Sequence, residues 1–324
     1  MTKRIALAGL LGFGLVSGGL AAGAATGAQA QDAYPSEPIT VLVGFGAGGM
    51  TDVSSRIIAE KLEANLGVRV LVENRPGAGG LLAMDEALEL PADGYTFVSF
   101  LSDGPFTSVF QDRPVDLDDW AILGGFMPQE RVLFARTDAP FETVEELVAY
   151  AKETPVTFAD GGSFWSSRVM EAFAKKNELN IRLVPFRSGA EGSAAILGGH
   201  VTLAETGVGT SAWQAGRSDG LKIMATLTPG GLDAFGMPDV PTFEELGADY
   251  VVKLQYGYAM RGDTPPERVE ALAAALQAVV EDPEVQARLR ELDLTPRWMP
   301  GDEYRELMVG VMDDAAELKA YLTE

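Results

Sequence analysis

The sequence contains no cysteine and only one histidine. The first absence excludes disulfides, a thiol nucleophile and any thiolate metal site. The second leaves metal binding to carboxylates alone. Any histidine-centred triad would depend on His200, which stands in "GGHV", a turn between a helix-like and a strand-like run. Basic residues are also scarce: 25 Lys and Arg against 47 Asp and Glu, a net charge of −22. So acidic a chain lacks the positive patches that hold phosphate backbones, which excludes nucleic acid as a partner and disfavours anionic membrane surfaces. The acids are spread over many helix-like runs, as on a solvated surface, with no acidic tail. Beyond residue 30 no apolar run approaches the ~20 residues of a membrane span. Fixed-period repeats and low-complexity segments are missing as well.

The first 30 residues read as a signal peptide. Lys3 and Arg4 precede a short apolar Gly/Ala-rich stretch that ends in Ala28-Gln29-Ala30, a small-x-small cleavage pattern. The alternative is a single membrane anchor, for which the strongly apolar part is short. With no cysteine after it, a lipoprotein anchor is excluded. The expectation is export to the periplasm, and removal of the segment deepens the net charge to −24. The remaining length is enough for two domains.

Strand-like and helix-like runs alternate almost throughout. "ITVLV" leads into a helix over about 51–66, with Val53, Ile57, Leu62 and Leu66 on one side and Gly67 as its stop. "VRVLVE", a short helix over 81–90 and "YTFVSFL" follow, a β-α-β-α-β order that predicts a parallel sheet with helices on both faces. A second α/β unit begins at "RVLFAR". In it Thr143 and Glu146 form a capping box, "VTFA", "IRLVPF", "HVTLAE" and "LKIMATLT" are strands, and "DGGSFWSS" feeds a helix. The C-terminal part reads as three helices with one short extended piece; Thr264-Pro265-Pro266-Glu267 and Asp282-Pro283 mark two of their starts. "VVKLQYGYAM" is a candidate strand returning from the second unit to the first. The expected organisation is residues 31–130 and 254–324 in one lobe, 131–253 in the other, and a ligand cleft between them.

The chemistry concentrates in glycine-rich turns at strand ends. Gly44, Gly46 and Gly49 spell G-x-G-x-x-G after a strand, and Glu73 closes the next strand, which nominally meets the demands of a dinucleotide site. An exported protein meets little NAD, and Thr51 and Asp52 stand where a helix cap belongs. A turn that binds nothing is a further alternative. The shared physics is that glycines let successive backbone N–H groups converge at a helix N-terminus, and this suits a carboxylate as well as a phosphate. "ENRPGAGG", "SDGP" and "ADGGSFWSS" repeat the pattern, all at strand C-termini. Acidic clusters such as "VMDDAAE" and "DLDDW" lack a metal-loop pattern, and no residue set supports catalysis.

"YPSEPITVLVGFGAGGMTDVSSRIIAEKLEANLG", "VENRPGAGG" and "DGYTF", continued by "VPFRSGAEGSAAILGGHV", "MPDVPTFEELG" and "GYAMRGDTPPERVEAL", resemble the Bug-type solute-binding proteins. These are the periplasmic subunits of tripartite tricarboxylate transporters. The resemblance runs from about Tyr34 to the C-terminus. It implies an α/β, two-lobed periplasmic binding fold of type II character, a small carboxylate ligand (a di- or tricarboxylate or an aromatic acid), no cofactor, a monomer, and delivery to integral-membrane partners. By position it implies that Gly46, Ala47, Gly48, Gly49 and Thr51 hold one carboxylate, with Asp52 orienting the helix. Gly79 and Gly80 would line the floor, Ser102 would face in, and Gly162, Ser163 and Ser166 would grip the far end. Three positions depart from the family pattern. Arg168 takes a slot usually held by histidine, either to clasp a second carboxylate or to pair with Glu171 on its own helix. Trp165 either stacks on the ligand or belongs to the core. Thr206 replaces a frequent acidic residue, which favours a plain carboxylate over an amino acid. The other readings are an exported α/β enzyme acting on a carboxylate and a nucleotide-dependent oxidoreductase.

Overall fold

The computed structural model describes residues 34–159, 164–186, 189–251 and 253–324. The proposed signal peptide therefore lies outside the described residues, as do Gly162 and Ser163. The chain first lays down β1 (Ile39–Val43), α1 (Met50–Leu66), β2 (Val70–Asn74), α2 (Leu81–Glu89), β3 (Thr96–Ser99), α3 (Asp103–Phe110) and β4 (Trp120–Pro128). Next come β5 (Arg131–Arg136), α4 (Val144–Glu153), β6 (Val156–Ala159), α5 (Phe164–Asn177), β7 (Ile181–Val184), α6 (Gly189–Leu197), β8 (Leu203–Gly207), α7 (Ser211–Arg217) and β9 (Leu221–Thr226). It ends in β10 (Gln255–Arg261), α8 (Pro266–Val280), α9 (Pro283–Arg290), β11 (Met299–Pro300) and α10 (Gly301–Thr323).

Two sheets result, one per lobe. The first runs β11-β4-β10-β3-β1-β2 and the second β7-β6-β8-β5-β9. The chain leaves the first sheet after Pro128, enters the second at Arg131, and returns at Gln255. The parallel arrangement expected from the β-α-β-α-β order holds for β1, β2 and β3, but both sheets as a whole are mixed. The returning β10 runs antiparallel between β3 and β4, and β5 runs antiparallel to both β8 and β9. A strand arriving from the other lobe has no crossover helix of its own to set its direction, so the usual parallel rule does not bind it.

Local signals explain most element ends. The β-branched run of β1 is buried on both faces: Ile39, Val41 and Val43 enter one core cluster with α1, α8 and α9, and Leu42 enters another with α2 and α10. That is the pattern of an interior strand covered by helices on both sides. Helix α1 stops at Gly67, whose left-handed backbone (φ 72°) lets its N–H reach the Glu63 carbonyl at 2.9 Å. Thr143 caps α4, accepting from the Glu146 amide at 3.3 Å, while the Glu146 carboxylate reaches back to the Glu142 amide at 2.7 Å. Helix α8 starts one step later than expected, with Pro265 in the cap position.

Helix α10 ties the lobes together. At 1.5 Å per residue it spans roughly 35 Å. Tyr304 and Met308 pack in the first lobe, whereas Val311, Ala315 and Leu318 enter the core of the second beside α4, α5 and Phe106 of α3. The last turns expected in the first lobe thus share the second lobe's core.

Candidate functional site

A cavity of about 540 Å³ lies between the lobes. The first lobe contributes Phe45, Gly46, Ala47, Gly48, Gly49, Met50 and Thr51 from the β1–α1 junction, with Leu101, Asp103, Gln129 and Tyr256. The second contributes Arg131, Gly189, Ala190, Gly207, Gly209, Thr210 and Ser211. All five residues expected in the first loop thus line the cleft.

The junction leaves backbone amides free at the start of a helix. Gly49 is the N-cap of α1 in extended conformation and makes no side-chain cap. The first helical hydrogen bond runs from the Val53 amide to the Gly49 carbonyl at 2.9 Å. The amides of Met50, Thr51 and Asp52 therefore have no intrahelical acceptor, and the helix dipole adds partial positive charge there. Asp52 holds the loop from behind. Its buried carboxylate accepts from the Gly48 amide at 2.9 Å, the Asn74 amide group at 3.0 Å and Arg56 Nε at 3.0 Å. Burial alone would push its pKa up; the hydrogen bonds from Arg56, Gly48 and Asn74 outweigh that and hold it below the usual carboxylate range.

Polar side chains complete the wall. Tyr256 is buried in the wall, and desolvation raises the pKa of its phenol. Gln129 donates to Asp103 at 3.0 Å. Arg131 forms a two-pronged pair with the fully buried Glu205, Nε to one oxygen and Nη2 to the other at 3.0 Å. Desolvation opposes the charge on Arg131, yet Glu205 raises its pKa overall. Away from the cavity, the Asp293 carboxylate of the first lobe accepts from Trp213 Nε1 and Gln214 Nε2, both at 2.9 Å, and from Arg217 at 3.2 Å, joining α7 to the chain after α9.

Several expected residues stand elsewhere. Gly80 packs beneath the first loop: a Cβ on Gly44 would lie 2.6 Å from the Gly80 Cα, and one on Gly79 would lie 2.8 Å from Thr107 Oγ1. Gly79 and Gly80 hold left-handed backbone conformations (φ 66° and 98°) that favour glycine, and they do not line the cavity. Ser102 is buried; its Oγ accepts from the Gln255 amide at 2.7 Å, clamping β10, while Leu101 and Asp103 reach the cavity on either side of it. Trp165 lies fully buried in the second lobe's core, and Ser166 is buried beside it. Arg168 pairs with Glu171 at 2.8 Å and lies over the Phe164 ring, the pairing alternative for this residue. Thr206 sits behind the wall and donates to Thr210 at 2.8 Å, supporting the hydroxyl that caps α7. Sequence reasoning missed Asp103, Gln129, Arg131, Thr210, Ser211 and Tyr256. The sequence marks Asp103 only within the "SDGP" loop, Tyr256 only within the returning strand and Arg131 only as the crossing point between lobes.

A second depression, of about 550 Å³, lies along the outer side of α1 and β2. Its charged residues pair locally, Arg69 with Glu63 and Glu60 with Arg288, so it presents no converging donors. Glu73, the would-be ribose ligand of a dinucleotide site, pairs with Arg75 at 2.7 Å.

The model of the tripartite tricarboxylate transporter family receptor matches residues 54–319. The chain belongs to this family. A Cupriavidus necator protein described as a UPF0065 protein in the gbd 5' region is 32% identical over 292 residues, covering 87% of each chain. Among solved structures, the receptor resembles the periplasmic binding protein BugD with a TM-score of 0.78 at 24% identity, over 90% of this chain and 99% of that one. It also resembles MatC from Rhodopseudomonas palustris with bound malate, with a TM-score of 0.75 at 22% identity, over 88% and 100%. These likenesses place the two-lobed fold among periplasmic binding proteins. As a member of the tripartite tricarboxylate transporter receptor family, the protein is a solute-binding receptor and not an enzyme, and the two enzymatic readings fall away.

Proposed function

We propose that the receptor captures a small organic acid in the interlobe cleft, with one carboxylate seated on the free amides at the start of α1, and delivers it in the periplasm to the membrane subunits of a tripartite transporter. The observation that carries this reading is the α1 N-terminus, without a side-chain cap, opening into the cavity beside a glycine loop with open space over Gly46 and Gly48. A carboxylate there gains charge-assisted hydrogen bonds in a largely desolvated site. The protein's strong net negative charge opposes the approach of an anion, so the attraction must be local, and converging amides supply it without titrating. The cavity falls in the size range of small-molecule sites and leaves room for bridging water. The family description and the malate in MatC support the same class of solute.

Thermal unfolding of the purified protein tests this against acetate, benzoate, succinate, malate, glutarate, citrate and NAD. Acids that bind should stabilise it by about 2.7 kcal/mol at a hundredfold excess over Kd. Stabilisation by NAD with no response to any acid would reject the reading.

A further inference from the structure

Arg131 is the one basic side chain in the cavity wall among the described residues, and only half of its guanidinium is engaged in the pair already described. It opens β5, immediately after the chain crosses between lobes. In the antiparallel pairing with β8, Arg131 stands opposite Gly207 and Leu133 opposite Glu205. Glu205 is thus two residues along from Arg131's partner and on the same face of the sheet, within reach of a long side chain. The pair is deeply set: the Arg131 side chain is 12% exposed and that of Glu205 fully covered.

A guanidinium has two forks, Nε with Nη2 and Nη1 with Nη2, each matched to a carboxylate. Glu205 fills the first. Nη1 lies on the side of Gly207, where an added Cβ would stand 3.5 Å from it, and Gly207 itself lines the cavity. Thr51 and Tyr256 of the first lobe line the same cavity as Arg131, so one solute can span from the start of α1 to the arginine. We propose that the second fork of Arg131 receives a further carboxylate of the solute, which makes the receptor's ligands diacids held at one end by α1 amides and at the other by Arg131. This rests on the organic-acid reading above and names its class. Glu205 is then a positioning residue: it fixes the plane of the guanidinium and balances its charge. What Arg131 adds is therefore chiefly a pair of directed donors. A carboxylate offers two acceptor oxygens to such a fork. A primary amide offers one acceptor and one NH2 group, which faces a donor and forms no bond.

The test compares succinate and glutarate with their monoamides, by calorimetric titration. On the wild-type protein the better diacid should bind ~10- to 100-fold more tightly than its monoamide. In Arg131→Lys, which keeps a charge for Glu205 but loses the fork, that ratio should fall to a few fold. In the double variant Arg131→Met with Glu205→Leu, which leaves no unpaired buried charge, the ratio should approach one. Glu205→Gln should weaken diacid binding more than monoamide binding, because a loosened guanidinium loses its aim. A general structural defect would lower both affinities together and leave the ratio intact. A folded variant with an unchanged ratio, or a wild-type protein indifferent to the amide, overturns the assignment while leaving organic-acid binding in place. Failure of every acid to bind the wild-type protein overturns both.

Discussion

Residues 44–49 and 77–80 follow adjacent parallel strands, β1 and β2, at the same sheet edge, and both are rich in glycine. Their surroundings are opposite. Added Cβ atoms at Gly46 and Gly48 would meet nothing within 4 Å, because the first loop faces the cavity. In the second, Gly80 lies against the Gly44 backbone and Gly79 against Thr107. One loop is open to the cavity; the other is a spacer that lets the first be supported from below. Asn74, at the end of β2, fastens the two, donating to the Phe45 carbonyl and to Asp52, each at 3.0 Å. A glycine cluster after a strand therefore signals close approach of something, and whether that is solute or backbone depends on what lies above it.

The contrast is sharpest where the loops touch. Gly44→Ala drives a methyl group to 2.6 Å from the Gly80 Cα, and backbone cannot swing aside. The expected cost is about 1–3 kcal/mol, on the order of 5 °C in Tm, measurable by calorimetry. A wild-type melting temperature would mean that the two loops do not pack as described.

Next in size is the link beneath the first loop. Asp52→Asn places an NH2 group among three donors, from Gly48, Asn74 and Arg56, and should cost about 1–3 kcal/mol near neutral pH. The sign of its pH dependence follows from the lowered pKa. The contribution of Asp52 is complete above its ordinary value of 3.8 and disappears as pH falls through the lower folded-state value. The stability difference between wild type and variant should therefore be full at pH 6–7 and shrink below about pH 4. A constant gap in denaturant titrations across that range would assign the effect to packing alone.

Much of this framework was legible in the sequence. The β1–α1 junction was visible because a β-branched run, a glycine turn and a 3.6-residue apolar period follow each other within a few residues. "VTFA" and the T-x-x-E box of α4 were equally local signals. Helix α3 was read as a turn because Gly104 and Pro105 interrupt it, yet both fall in its first turn, where no amide needs an intrahelical acceptor. Strand β4 was hidden by Gly124 and Gly125, which are small because Trp298, Met299, Gln255 and Tyr304 crowd that strand. The wall of the cleft was least legible. Arg131 and Glu205 are 74 residues apart, and their meeting depends on the register between β5 and β8. The family resemblance implies Ser102 in the cleft, but its neighbours Leu101 and Asp103 face the cavity while Ser102 turns inward to clamp β10.

The smallest expected change in stability tests the open side of the comparison. Gly46 has an ordinary backbone conformation, and its added methyl would meet no atom within 4 Å. Gly46→Ala should therefore alter folding stability by less than ~0.5 kcal/mol, the range for sites without packing or strain. The methyl would project into space that a bound acid needs, above amides that the carboxylate must approach closely. Affinity for the tightest acid of the panel should fall on the order of tenfold while Tm without ligand stays put. The same substitution thus separates the two uses of glycine: at position 44 it lowers stability, and at position 46 it weakens binding to an otherwise unperturbed protein. Unchanged affinity in Gly46→Ala would mean that the acid sits away from this loop, and the α1 seat would have to be given up even if the cleft still binds the solute.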